Sequence, residues 1–319
     1  VAESRQSRSW IARIVVWAIT IICFLVLFQR LDGAAARQGQ ELFPYILAIF
    51  EKVNWLALVG LLIPYSLVFF LLDSVAVWRV INWFNARVRY RDILPVRAST
   101  YILSILNEQL GKGAIALYLQ RREGVPGWKL ASSMLFLMFC EFYYLLGWAT
   151  LGWWLNGDTL PREFKAIPVI AVGAVIFFVA FYLFFRGGLF ASVALRDRQI
   201  FHAFREARLS QYLTIIAIKT PALLTAVVVY DLALGLFGVD LTLIQMLGYL
   251  PVVFFGAGVP GPMRAVAITL WVLLLPDHTG EMVAFALVMH NFFIFFNAAI
   301  GLVFLRRTQR ELFDAAPAA

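Results

Sequence analysis

The chain has 319 residues, of which 62% are hydrophobic and 14% charged, with a mean hydropathy of +0.82. Soluble domains are nearer 45–50% apolar and about 25% charged, so these proportions exclude an ordinary water-surrounded enzyme, and the 29 Phe, 10 Trp and 11 Tyr exclude disorder. A net charge of +8 does not call for nucleic acid, because basic residues collect on the cytoplasmic side of bilayer proteins; Cys23 and Cys140 are too few for a disulfide framework or a zinc cluster.

A helix needs about 20 apolar residues to cross about 30 Å of hydrocarbon. In chain order six stretches qualify: Trp10–Phe28, Trp55–Trp78, Leu130–Leu155, Ile167–Phe185, Tyr212–Phe237 and Met282–Leu305. Trp10, Trp55, Trp78, Trp153, Trp154 and Tyr212 stand near their ends, as interfacial anchors do. The first run exceeds the usual 7–15 apolar residues of a signal peptide and reads as a retained span.

Two further apolar regions are interrupted. Ile93–Tyr118 is broken at Asn107–Gly113, and Leu241–Leu275 at Gly256–Pro262. Each half is too short to span, and such breaks are tolerated in a bilayer only where protein or a watery cavity satisfies the freed backbone. Both read as re-entrant hairpins. The expected fold is therefore an all-α polytopic membrane protein with six transmembrane helices and two re-entrant helical hairpins. It forms one integral membrane domain over residues 1–319, with halves 10–155 and 167–307.

Charge supports that topology. With both termini cytoplasmic, the cytoplasmic segments carry 19 Lys/Arg and the outside loops 5, leaving Lys112, Lys219 and Arg264 within the membrane. Making either hairpin a full crossing abolishes the asymmetry. The order span, span, hairpin, span then occurs twice with opposite orientation, the inverted-repeat plan in which broken helices meet around a midplane site.

Gly256-Ala257-Gly258-Val259-Pro260-Gly261 matches the dinucleotide fingerprint in letters, but that motif is informative only between a strand and a helix; here it reads as a hairpin turn. Asp277, His278 and Glu281 read as a solvated turn rather than a metal site. No cofactor or metal is expected, nor any nucleophilic triad, and the chain is not expected to be an enzyme. The basic stretch Arg196–Arg208, with Ile200, Phe201 and Phe204, reads as an interfacial helix on anionic lipid.

The intramembrane polar residues carry more weight, since each costs at least about 2.5–3.5 kcal/mol in a bilayer and so faces a cavity or a partner. Glu108 and Lys112 are four apart and can neutralise each other. Asp73, Lys219, Asp231 and Arg264 have two readings, snorkelling toward an interface or serving a site. Glu108, Lys112, Glu141 and Arg264 are expected to converge on one polar cavity, with His290 at its wall and the hairpin glycines Gly111, Gly113, Gly256, Gly258 and Gly261 beside it.

In several places the chain resembles a known family. They are Trp78-Arg79, the first hairpin with Gly111 and then Arg121-Arg122-Glu123-Gly124, Glu141, the glycine turn of the second hairpin, and Gly301-Leu302. From about Trp10 to Arg307 these resemble the flippase-like membrane family represented by the transmembrane domain of lysylphosphatidylglycerol synthase. The resemblance implies two inverted halves around a lipid-headgroup cavity, in the cytoplasmic (inner) membrane of a bacterium, moving or presenting a phospholipid or polyprenyl-linked lipid. The expected partners are membrane lipids, anionic headgroups among them. Lys112-Gly113, Phe142, Pro262-Met263-Arg264 and His290 depart from the family's polar pattern. That departure implies an altered substrate, or a non-catalytic subunit that packs against other membrane proteins.

Overall fold

The computed structural model describes residues 2–104, 115, 119–120, 123–157, 160–187, 196–258 and 264–313. These form eleven α-helices: α1 (Ala2–Arg37), α2 (Leu42–Lys52), α3 (Trp55–Phe84), α4 (Tyr90–Ser104), α5 (Gly127–Asn156), α6 (Ile167–Arg186), α7 (His202–Glu206), α8 (Leu209–Gly235), α9 (Leu243–Ala257), α10 (Ala265–Leu274) and α11 (Thr279–Phe313). Short 3-10 turns precede α6, α7 and α11, and no strand occurs among the described residues. Helices α3, α5, α6, α8 and α11 are long and apolar enough to cross a membrane. The first apolar run, Trp10–Phe28, lies within α1, whose side chains are described mainly from Trp17 onward.

Local chemistry places the helix ends. Asn54 caps α3 by accepting from the Ala57 N–H at 3.1 Å, leaving one fewer orphan donor at that terminus. Helix α3 continues to Phe84 rather than stopping at Trp78. Beyond it, Trp78 Nε1 and Asn82 Nδ2 both donate to the Val88 carbonyl, and the Val88 N–H returns a bond to Asn82 Oδ1. This knot fixes the turn into α4. Thr242 and Gln245 form a reciprocal capping box at the start of α9, the arrangement that satisfies two orphan donors at once.

Helices α9 and α10 have 15 and 10 residues, so at 1.5 Å per residue they reach about 22 and 15 Å, short of the hydrocarbon thickness. They pack on each other as two arms, with Gly256 against Leu270. The second broken region is thus a pair of short apolar helices. Of the first, the structure describes α4 up to Ser104, and the expected break at Asn107–Gly113 lies outside the described residues.

Two crossings hold the bundle. Helix α5 meets α9 where Gly152 faces Gly248: a Cβ at Gly152 would stand 2.6 Å from Gly248 Cα. Beside it, Asn156 Nδ2 donates to the Ile244 carbonyl at 2.7 Å. Helix α11 meets α4 where a Cβ at Gly301 would stand 2.4 Å from the Ala98 carbonyl oxygen. Only glycine permits backbones to approach this closely, as small residues do at membrane helix interfaces.

The bundle has two ends. At one, Tyr45 of α2 touches Gly280, Phe164 meets Tyr249, and Phe237 meets Phe285. At the other, His202 bonds the Phe84 carbonyl and the Ala203 N–H donates to Ser132 Oγ. There the stretch expected to lie on lipid instead docks inward. Phe204 is buried among Phe136, Phe139, Phe181 and Phe185, because its apolar face finds a ready aromatic surface on α5 and α6. Helix α6 itself buries only Ile167 and Phe185 and exposes Val169, Val172 and Ile176.

Candidate functional site

Four helices deliver charge to the interior. Asp73 comes from the middle of α3, Arg97 from α4, Glu141 from α5 and Lys219 from α8. Lys219 Nζ donates to Asp73 Oδ1 at 2.6 Å and to Glu141 Oε1 at 2.8 Å. Arg97 Nε donates to Asp73 Oδ2 at 2.5 Å, and the Tyr101 hydroxyl donates to the same oxygen at 2.9 Å. Asp73, Arg97 and Lys219 are 3%, 3% and 5% exposed. Removing such ions from water costs several kcal/mol each unless pairing and hydrogen bonds are complete, and Asp73 meets that condition with three donors. Arg97 also lies 4.3 Å over the Tyr101 ring, a cation–π contact that is stronger when desolvated.

This cluster forms part of the wall of a cavity of about 470 Å³. Tyr65, Tyr144, Tyr230 and Phe293 supply much of the remaining wall, together with Gly258 and Arg264 of the second hairpin and Asn297 of α11. Phe142, 43% exposed, stands at its edge against Phe255. Arg264 holds its guanidinium 5.6 Å from the centre of the Phe293 ring. Its φ is +51°, the one positive value at a non-glycine among the described residues. A side chain in the left-handed region costs about 1–2 kcal/mol, so the chain bears strain where it presents this cation. Among the described residues that line the cavity, Arg97, Lys219 and Arg264 outnumber Asp73 and Glu141 by one charge.

No protein-family model, curated protein or solved structure matches this chain. The geometry therefore has to carry the functional argument.

Of the residues expected from sequence, Glu141, Gly258 and Arg264 line the cavity. Gly256 and His290 are not among its lining residues. Gly256 is buried between the hairpin arms, and His290 is fully buried on α11 with neither ring nitrogen bonded among the described residues. Glu108, Gly111, Lys112, Gly113 and Gly261 lie outside the described residues. Asp73 and Lys219 do not snorkel; they form the buried centre of the cluster. The 19 Lys/Arg expected on the cytoplasmic side include Arg97, which Asp73 instead draws into the buried cluster; Arg79, Arg87, Arg89 and Arg91 of the same stretch are not part of it. Asp231 is away from the cavity lining. No group of three or more metal-ligating side chains occurs among the described residues. Sequence reading missed Arg97 and Tyr101, and it gave Asn297 only as a polar residue of the last apolar stretch. The available signal for Arg97 was its separation from the run Arg87, Arg89 and Arg91, in a segment that is otherwise apolar.

Proposed function

We infer that this chain is a flippase-like membrane protein that holds a lipid headgroup in the cavity and moves or presents it between leaflets. The observation that carries the reading is a paired ion cluster and a strained Arg264 on the wall of one aromatic cavity, among helices of membrane-spanning length. Ionisable groups at such depth mark substrate or ion pathways, and the cavity volume falls within the roughly 300–1,000 Å³ of small-molecule sites. Surplus positive charge suits an anionic phosphodiester, to which charge-assisted bonds are strong. Tyrosines and Phe293 suit the glycerol backbone and the first methylenes.

The reading includes an inverted repeat. Helices α3, α4 and α5 match α8, α9 and α11 in order, and Pro64 and Pro221 stand inside α3 and α8. The two glycine crossings support the same plan, since each joins the last span of one half to the first hairpin arm of the other. The charge asymmetry supports a bacterial inner membrane with both termini cytoplasmic.

Translocation of fluorescent phospholipid in reconstituted vesicles tests the function. Replacing Lys112 and Arg264 with Gln keeps a polar hydrogen-bonding side chain at each position but removes two cations. The rate is expected to fall at least about tenfold, ~1.4 kcal/mol in barrier. An unmodified protein that moves no lipid refutes the proposal.

A further inference from the structure

On the α11 wall, Asn297 is 2% exposed and lines the cavity, yet neither its amide nitrogen nor its amide oxygen has a hydrogen-bond partner among the described residues. A buried amide left unpaired is destabilising, and buried polar groups in folded proteins nearly always find partners. Phe293 lies one helical turn before Asn297, so both project from the same face of α11. Arg264 stands over Phe293 and lines the same cavity. It is the N-cap residue of α10 and its side chain does not cap that helix, so the positive end of the helix dipole adds to its charge. The wall thus offers a cation, an amide donor and an amide acceptor around one aromatic ring.

Each group asks for a different complement. Arg264 and the Asn297 nitrogen are donors and suit phosphodiester oxygens. The Asn297 oxygen is an acceptor, and no phosphodiester oxygen satisfies it, because a diester is ionised and carries no proton. It requires a hydroxyl or an N–H from another part of the same ligand. We propose that Arg264 and Asn297 form a headgroup subsite that selects phosphodiesters bearing a hydrogen-bond donor, a hydroxyl or a primary ammonium, over those that end in a quaternary ammonium. Sites built to hydrogen-bond a ligand donor reject the analogue lacking it more strongly than apolar pockets reject a methyl group, because the acceptor is left unpaired. The inference rests on the headgroup reading above and adds the chemical class that the site prefers.

Binding tests it apart from transport. Purified full-length protein in detergent is titrated with dioctanoyl phosphatidylglycerol, phosphatidylethanolamine and phosphatidylcholine, with bound lipid read by native mass spectrometry. The first two are expected to bind at least about tenfold more tightly than phosphatidylcholine, the size of effect that follows when a buried acceptor is left unpaired. Asn297→Leu is expected to bring the ratio of phosphatidylethanolamine to phosphatidylcholine affinity, two lipids of equal net charge, close to one while retaining phosphatidylcholine affinity, and to raise the unfolding midpoint of the lipid-free protein. Arg264→Gln is expected to weaken all three alike. If the leucine variant does not fold, Asn297→Ala reads the same ratio.

Phosphatidylcholine binding as tight as the others, or a preference for phosphatidylethanolamine over phosphatidylcholine that survives in the Asn297 variant, overturns the proposal. Soluble glycerophosphoglycerol, run as a competitor, separates the sources. If it binds as tightly as the lipid, the ligand is a free phosphodiester; the lipid reading then fails while the selection for a donor stands. A protein that shows the preference but moves no lipid likewise refutes translocation alone. One that binds and moves all three lipids equally refutes the subsite alone.

Discussion

Lys219 is the residue whose loss the bundle should feel most. Its Nζ lies 2.6 Å from Asp73 and 2.8 Å from Glu141. At an effective dielectric of ~20, each contact is worth ~6 kcal/mol before desolvation is counted. Most of that is offset by taking three ions out of water. The observed cost of breaking a buried pair by deleting one partner is about 3–5 kcal/mol. Lys219→Met is expected to fall in that range, because Asp73 keeps Arg97 and Tyr101 while Glu141 loses this cation. Glu141→Gln should cost less, about 1.5–3 kcal/mol, the scale of one hydrogen bond to a charged group, since Lys219 still holds Asp73. In the double variant Glu141 no longer carries the charge that Lys219 neutralised, so the combined cost should fall short of the sum of the singles by at least ~1 kcal/mol. Equilibrium unfolding in mixed micelles, followed by far-ultraviolet circular dichroism, measures all three. Additivity within ~0.5 kcal/mol, or a Lys219→Met variant as stable as the parent, refutes the bridging role.

Gly152→Ala and Gly301→Ala should each lower stability by about 1–3 kcal/mol through forced separation of crossing helices. Gly173→Ala in α6, where no heavy atom lies within 4 Å of the new Cβ, should be neutral or raise stability by up to ~1 kcal/mol; thermal melts in detergent compare them. In a background without Cys23 and Cys140, single cysteines at Gln38 and Asp277 should react with an impermeant maleimide from one side of sealed vesicles, and those at Arg87 and Arg198 from the other. Labelling of Gln38 and Arg87 from the same side refutes the proposed crossing by α3.

Apolar run length was enough to locate α3, α5, α6, α8 and α11, because a bilayer demands unbroken hydrophobicity and few other structures do. It also located the second broken region, where glycines and prolines cluster at Gly256–Pro262 and divide the apolar run. It did not reveal α2: eleven residues are too few to span, and Phe43 and Leu47, exposed in the structure, look like core positions in sequence. Glu141 and Arg264 stood out as isolated charges in apolar surroundings. Arg97 did not, since it follows a basic run, and its burial depends on Asp73 in another helix. In the sequence Asn297 is only a polar residue within an apolar stretch. Its lack of a partner is a three-dimensional fact, invisible until the neighbours of α11 are known. The aromatic face at Phe201 and Phe204 had the right periodicity for a membrane surface; what sequence could not supply was the aromatic surface of α5 and α6 waiting beneath it.

The crossing of α4 by α11 has a consequence for how the protein is made. Helix α4, carrying Arg97, emerges well before its partner, because the helix that packs on it at Gly301 is α11, the last among the described residues. At ~5–20 residues/s, synthesis from Ser104 to Thr279 takes roughly 9–35 s. During that interval Asp73 and Arg97 can pair, but Lys219 arrives only with α8, and the groove at Ala98 stays open until α11 is inserted. The first half is therefore a waiting intermediate rather than a finished unit, and a ribosome stalled before α11 would leave a polar, incompletely packed helix in the membrane, in the form that quality-control proteases recognise.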